Sequence, residues 1–280
     1  MTPDGATALS DAGWRCAVLG SPISHSLSPE LHRAAYAELR LTGWTYDRFD
    51  VTEDELADFV AACNGNWRGL SLTMPLKSAA LELGDVDSLA RFAGSANTLI
   101  FDGLRRRLYN TDIAGLVWAV QQASADPPLR VTILGSGATA RSAVLSAAQL
   151  GARNVTIMAR TPSKAEQLEG LGSALQLDVR VLPWGTGLPP ADLLISTVTS
   201  GAVDPIATAI AGSVPLVFDV IYEPWPTALA TAAQEAGASV INGLDLLVGQ
   251  ALGQIELMTG RTVAAEVLYR AGRAALAAGL

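Results

Sequence analysis

Leu129-Arg130-Val131-Thr132-Ile133-Leu134-Gly135-Ser136-Gly137-Ala138-Thr139-Ala140 is the stretch that decides the fold. A short, continuous apolar run with β-branched members predicts a strand buried on both faces, as parallel sheets require. It passes without a spacer into a G-x-G-x-x-A turn. Gly135 permits the tight turn, Gly137 lets a pyrophosphate approach the backbone, and Ala140 is small enough for close helix–strand packing. The helix that follows, over about 138–150, would aim its first N–H groups at that anion. A plain glycine-rich βα turn has the same glycines. Here, though, strand, turn, helix and second strand fall in register within about 30 residues, as a dinucleotide site needs. Gly135, Ser136, Gly137, Ala138, Thr139 and Ala140 are therefore candidate cofactor contacts.

The end of the second strand selects the dinucleotide. A site for NAD places an acid there, on the ribose hydroxyls. This chain runs Val155-Thr156-Ile157-Met158-Ala159-Arg160-Thr161-Pro162-Ser163-Lys164, and no acid appears before Glu166. A guanidinium stands at that place. Arg160 can fork onto a 2′-phosphate, with Thr161 donating a hydroxyl and Lys164 adding charge, so the expected cofactor is NADP. An arginine on a solvated strand end is the bland alternative.

Outward from this stretch, strand and helix patterns alternate almost throughout, which predicts a parallel α/β architecture. Upstream, strands are expected over 15–20, 44–49 and 68–73. Ser28 is the expected cap of a helix over 28–41 with proline at its first position, and Thr52 to Glu55 forms a capping box for the next helix. Pro75 is expected to start another helix. Residues 97–101 and 106–110 read as a hairpin around Asp102-Gly103. Downstream, strands follow over 155–158, 179–182, 193–196, 216–220 and 239–241. The last helices, over 244–259 and 263–278, have no strand after them and are free to pack back on the first unit.

Composition bounds what such a chain can do. Its 280 residues are 50% hydrophobic and 16% charged, enough chain for about two domains at roughly 150 residues each. The net charge of −8 argues against a polyanionic partner, so no nucleic acid is expected. No apolar run is long enough to span a bilayer, so no membrane is expected either. Residues 1–14 lack a signal-peptide pattern and resemble a loose tail. Cys16 and Cys63 share no short spacing. They are expected to be free thiols in a reducing, cytoplasmic setting, and with only His25 and His32 they build no zinc site, so no metal is expected.

The first unit carries a second set of polar residues. Gly20-Ser21-Pro22-Ile23-Ser24-His25-Ser26-Leu27-Ser28-Pro29 is a loop between strand and helix. Ser26 and Ser28 there can aim two hydroxyls at one carboxylate, beside the N–H groups of the following helix. Together with Gly69-Leu70-Ser71-Leu72-Thr73-Met74-Pro75-Leu76-Lys77, Gly94-Ser95-Ala96-Asn97-Thr98 and Asn110-Thr111-Asp112, this loop resembles the shikimate dehydrogenase family. The likeness continues through the G-x-G-x-x-A turn, Phe218-Asp219-Val220-Ile221-Tyr222-Glu223-Pro224 and Gly243-Leu244-Asp245-Leu246-Leu247-Val248-Gly249-Gln250.

The resemblance implies two parallel-sheet α/β domains. Residues 1–112 and 244–280 would form the substrate-binding and catalytic domain, with an inserted Rossmann NADP-binding domain at 113–243. It implies that Ser26 and Ser28 hold a substrate carboxylate and that Thr73, Asn97, Asp112 and Gln250 bind ring oxygens. Lys77 and Asp112 would be the catalytic pair, Tyr222 would act near the reacting end, and Gly243 would lie against the nicotinamide. The implied reaction is reversible NADPH-dependent reduction of 3-dehydroshikimate to shikimate, in a monomer or homodimer. Its rationale is that a lysine ammonium beside the ketone stabilises the developing oxyanion and can donate the proton.

The chain departs from the family at Ser71, where asparagine is usual, and at Ala159, where the usual Asn-Arg-Thr becomes Ala-Arg-Thr. Ser196 and Leu246 are further substitutions. Two alternatives stand beside the main reading. One is a quinate/shikimate dehydrogenase of broader substrate or NAD use; the other is an NADP-binding regulatory protein without turnover.

Overall fold

The computed structural model describes residues 13–279, without the side chains of 162 and 164. Most of the expected N-terminal tail thus lies outside the described residues, but Trp14 does not belong to a tail. Its ring packs 6.5 Å from that of Trp44. The chain divides into two compact units. Unit 1 comprises the residues up to Thr111 and those from Gln250 onward, and unit 2 is Asp112–Gly249.

Unit 1 runs β1 (Arg15–Gly20), α1 (Ser28–Glu38), β2 (Thr45–Asp50), α2 (Glu53–Ala62), β3 (Trp67–Leu72), a 3-10 helix (Ala79–Leu83), β4 (Asp85–Val86), α3 (Ser88–Ala93), β5 (Thr98–Asp102) and β6 (Arg105–Tyr109). Helix α4 (Thr111–Ala123) leads into unit 2. The sheet order is β2-β1-β3-β5-β6-β4. β1 pairs in parallel with both β2 and β3, whereas the hairpin β5–β6 joins β3 antiparallel. Both faces are covered, so β1 is apolar at every position after Arg15. Ala17 and Leu19 enter one core with Leu56, Val60, Leu70 and Leu72, while Cys16 and Val18 enter the other with Tyr36, Tyr46 and Met258.

Two local expectations need correction. Ser28 does not cap α1; Leu27 holds the cap position, and Ser28 and Pro29 lie inside the first turn. Ser26 supplies a partner instead, its Oγ accepting from the Ser28 N–H at 3.4 Å. No α-helix starts at Pro75 either. Residues 74–78 form turns that pass into the short 3-10 helix. The Lys77 carbonyl, which helix continuation would have used, instead accepts from the Ala96 N–H at 2.8 Å. Gly84 and β4 then end the segment. The capping box at Thr52 and Glu55 is present. Asp87, which the sequence did not flag, caps α3 through the N–H groups of Leu89 and Ala90.

Unit 2 contains β7 (Arg130–Leu134), α5 (Ala138–Gln149), β8 (Asn154–Ala159), α6 (Pro162–Leu175), β9 (Asp178–Pro183) and β10 (Leu193–Ser196). It continues through a 3-10 turn (Asp204–Ile206), α7 (Ala207–Ala211), β11 (Leu216–Asp219), α8 (Ala228–Glu235) and β12 (Ser239–Ile241). All pairs in its sheet are parallel, in the order β12-β11-β10-β7-β8-β9. The strand order reverses beside β7, and the loop after β7 therefore leaves from the switch point where open α/β sheets bind ligands.

Helix α9 (Gly243–Thr259) crosses the second unit boundary, and α10 (Ala265–Ala277) packs on α1. Arg68 of β3 donates to the Met258 carbonyl at 2.8 Å and the Leu257 carbonyl at 3.4 Å, meeting the unpaired C-terminal acceptors of α9. No helix among the described residues is long and apolar enough to cross a membrane.

Candidate active site

In unit 1 the polar residues gather at the carboxyl ends of β1 and β3. The chain leaves β1 through Gly20 because residues 73–74 press against it. A Cβ at Gly20 would collide with the Thr73 methyl and come within 2.8 Å of the Met74 carbonyl. That turn is held by the Thr73 N–H on the Leu19 carbonyl at 2.9 Å and the Ser21 N–H on the Met74 carbonyl at 3.1 Å. Thr73 and Lys77 are half-buried within it. The loop bearing Ser26 is tied down by Arg48 of β2, which donates to the Ser24 carbonyl and to Glu30 at 2.8 Å. Ser26 is half-buried and Ser28 buried, whereas His25 is exposed.

Asn97 sits at the centre of a buried polar row. Its Oδ1 accepts from the Thr111 N–H at 2.8 Å, satisfying one of the unpaired donors at the start of α4, and from the Thr98 hydroxyl at 2.9 Å. Its Nδ2 reaches Thr111 Oγ1 at 2.9 Å and Gln250 Oε1 at 3.4 Å. One helical turn after Gln250, Gln254 donates to the Asn97 carbonyl at 3.2 Å and to Thr98 Oγ1 at 3.1 Å. Gln254 Oε1 accepts from Ser71 at 2.8 Å and lies 3.3 Å from His32 Nε2. The Tyr46 hydroxyl donates to Ser71 Oγ at 2.6 Å. Asp112 is buried in the first turn of α4, on the unit 2 side of the boundary.

The structure therefore brings Asn97 and Gln250 together with Thr111, Thr98, Gln254, Ser71, Tyr46 and His32. Only the first two of these were singled out from the sequence as binding residues. The four-residue spacing of Gln250 and Gln254 on one helix was a usable signal. Tyr46 gave none, because an aromatic at a buried strand position is ordinarily core. His32 is core rather than base. Burial drives its pKa down from 6.5 to about 3, so the ring is neutral. Cys16 is equally inert, its thiol pushed up to about 12 by burial.

In unit 2 the residues expected to meet a dinucleotide lie at the carboxyl ends of β7 and β8. Gly135 takes φ +118°, a conformation reserved for glycine, and a Cβ there would strike the Thr197 hydroxyl. Gly137 caps α5 without any side-chain hydrogen bond, and a Cβ on it would project into open space. The N–H groups of Ala138, Thr139 and Ala140 open the helix, so the turn fits an anionic phosphate held by backbone donors. Ser136 and Thr139 are half-buried beside it. Arg160 and Thr161 are exposed just past β8, and Lys164 lies in the first turn of α6, its side chain outside the described residues. Gly243 is pressed against the loop after β11. A Cβ would collide with the Val220 carbonyl oxygen and approach the Ile221 carbonyl carbon to 2.7 Å. Tyr222 follows on that loop, half-buried. Asp219, at its base, accepts from Thr227 at 2.7 Å, and burial raises its pKa above the usual carboxylate value. No metal-binding group of three or more His, Cys, Asp or Glu occurs among the described residues.

Comparison with known proteins gives a consistent result. The shikimate dehydrogenase substrate binding domain model matches residues 18–99. A protein of Methanococcoides burtonii named shikimate dehydrogenase (NADP(+)) is 37% identical over 253 residues, 88% of this chain and 92% of its own. The crystal structure of Mycobacterium tuberculosis shikimate dehydrogenase superposes with a TM-score of 0.88 at 39% identity, covering 93% of this chain and 99% of that one. The ligand-free 5-ketofructose reductase of a Gluconobacter strain superposes with a TM-score of 0.84 at 26% identity, over 94% and 98%. With such relatives matched over nearly their whole length, the chain belongs to the shikimate dehydrogenase family.

Proposed function

We propose that this chain is an NADP-dependent oxidoreductase that interconverts 3-dehydroshikimate and shikimate, in the pathway leading to chorismate and the aromatic amino acids. The observation that carries the substrate side is the buried row of hydroxyls and amides around Asn97. A carboxylated ring bearing several hydroxyls needs many directional partners, and an apolar pocket would not supply them. The 5-ketofructose reductase neighbour bears a different substrate name on the same fold, so the site rather than the fold must choose the substrate.

Unit 1 is the substrate half and unit 2 the nucleotide half. Ser26 and Ser28 hold the carboxylate, and Thr73, Asn97 and Gln250 hold ring oxygens, with Ser71 standing where relatives usually carry asparagine. Bound NADP supplies or accepts the hydride. Lys77 stabilises the negative charge that grows on the carbonyl oxygen during reduction and gives it a proton. Asp112 binds a neighbouring hydroxyl and orients Lys77. In the oxidising direction the lysine must be neutral to take the proton, so that rate is expected to rise with pH. Tyr222 lies near the reacting end and Gly243 against the nicotinamide. Glycine-turn N–H groups from Gly135 to Ala140 receive the pyrophosphate. Arg160, Thr161 and Lys164 receive the 2′-phosphate, a charge-assisted contact that NAD lacks. Every residue in this set comes from one chain, so a monomer or a homodimer could work. Two free thiols, Cys16 and Cys63, fit a cytoplasmic setting.

Absorbance at the nicotinamide band tests the proposal, with shikimate or quinate each supplied with NADP or NAD. Turnover of shikimate with NADP is expected. Equal turnover of quinate would favour the broader dehydrogenase, and silence in all four combinations would favour a binding protein.

A further inference from the structure

Strand β2 is the edge of its sheet and is mostly exposed or half-buried, yet Tyr46 on it is completely buried. Its ring stacks on His32 with centroids 4.0 Å apart and planes 19° from parallel. Its hydroxyl donates to Ser71 at 2.6 Å. Burial pushes the phenol pKa well above its ordinary value, so the proton stays on Tyr46.

The direction of each hydrogen bond in this row follows from one group that can only accept. The Asn97 carbonyl faces Gln254, so the Gln254 end nearest it must be the Nε2 donor. The opposite end, Oε1, then faces Ser71 and His32 as an acceptor. Ser71 has a single proton, and at 2.8 Å from Oε1 that proton must point at Gln254. Ser71 Oγ can therefore only accept from Tyr46. A flipped Gln254 would set two carbonyl oxygens against each other and leave Ser71 and His32 both facing an NH₂. The order runs without a break from Tyr46 through Ser71 and Gln254 to Asn97.

We propose that Tyr46 is a positioning residue for substrate recognition. Acting through Ser71, its hydroxyl fills one acceptor position of the serine oxygen while Gln254 takes the serine proton, so that Ser71 meets the substrate only through its remaining lone pair and selects a ring hydroxyl over a carbonyl or a bare carbon at that position. The inference rests on the function proposed above. It adds a residue, outside the set proposed to touch substrate, that fixes how Ser71 reads the ring. Recognition by a fixed lone pair discriminates sharply, because a substrate without the matching donor leaves buried polar groups unpaired.

Steady-state kinetics of the full chain with shikimate and NADP test this. The unaltered protein is measured first; its failure to turn over shikimate would overturn the proposed function itself and the inference with it. Tyr46→Phe keeps the ring stacked on His32 and removes only the hydroxyl. It should raise KM for shikimate about tenfold, the scale of one lost buried hydrogen bond, with the change falling on KM rather than kcat and KM for NADP unmoved. Ser71→Ala should do the same, and the double variant should be no worse than Ser71→Ala alone, because Tyr46 acts through that hydroxyl. If Tyr46→Phe does not fold, Ser71→Thr and Ser71→Val carry the test. Thr keeps the hydroxyl and should keep KM near normal, whereas Val should raise it about tenfold. Unchanged KM for shikimate in Tyr46→Phe would overturn the proposal. So would additive single and double effects, a loss shared equally by shikimate and NADP, or identical behaviour of the Thr and Val variants.

Discussion

Unit 2 fills both faces of its sheet with aliphatic side chains, and its buried Ser146 shares its proton between two backbone carbonyls, Ser142 four residues back at 2.8 Å and Ile113 of α4 at 3.1 Å. Unit 1 instead lines one side of its sheet with His32, Tyr46, Ser71, Asn97, Thr98 and Gln254, and several of their pairings join residues far apart in sequence. His32 and Gln254 are 222 residues apart, and Ser71 and Gln254 183. An apolar interior tolerates exchange of one aliphatic for another, because dispersion and area burial carry no direction. A polar interior does not, since each donor needs its own acceptor and an orphan is costly. On the function proposed above, the unit that receives a mostly backbone-bound phosphate has the first kind of core, and the unit that must tell one hydroxylated ring from another is built on the second.

Variants can break or sharpen this contrast. The largest effect is expected at Lys77, where replacement by Ala should lower turnover about a thousandfold, the span of a lost acid and charge stabiliser, with KM for NADP nearly unmoved. Initial rates measure it, and near-normal turnover in that variant would remove lysine from the chemistry. Next comes Leu194, fully buried in β10. Leu194→Ala should cost about 3 kcal/mol in denaturant unfolding through the cavity it leaves, while the folded fraction keeps its KM for shikimate. A changed KM would show that the interior of unit 2 also shapes substrate recognition. Smaller still is Arg160→Ala, expected to raise KM for NADP about ten- to hundredfold and to leave NAD unaffected. An unchanged preference would place the 2′-phosphate elsewhere.

The smallest effect concerns acid. His32 is neutral in the folded chain because its pKa lies near 3, and it faces Gln254, Tyr46 and Tyr36. Unfolded, it takes a proton near pH 6.5. The unfolded state therefore binds more protons between those values, and stability must fall as pH drops from about 6.5 towards 3, by at most about 1.4 kcal/mol per unit. Unfolding of His32→Gln followed from pH 7 to pH 4.5 should show a shallower decline than the unaltered chain. Parallel curves would mean that His32 is not the group responsible.

The same contrast explains what was legible in the sequence. The apolar run of β7 and the glycines after it are local signals, and β10 and β12 fall on the residues expected of them. The end of β8 was readable too, and the structure leaves Arg160 exposed just past it. Short polar elements were not: Asp87 and α3 carry no long period, and Pro75 looked like a helix start until the Lys77 carbonyl was found occupied by Ala96. Tyr46 and His32 were invisible as members of the polar row, because their roles exist only once Gln254 arrives beside them.

That arrival has a consequence for synthesis. Chain units usually fold in the order they emerge from the ribosome. Here the residues from Gln250 onward, which include Gln254, Met258 and the α10 surface on α1, belong to unit 1 but follow unit 2 along the chain. Unit 2, Asp112–Gly249, is therefore complete in one continuous segment before Gln254 can reach Ser71 and Thr98. A chain that has emerged only as far as residue 249 holds all of unit 2 but lacks Gln254, so the polar row of unit 1 closes only after unit 2 is made.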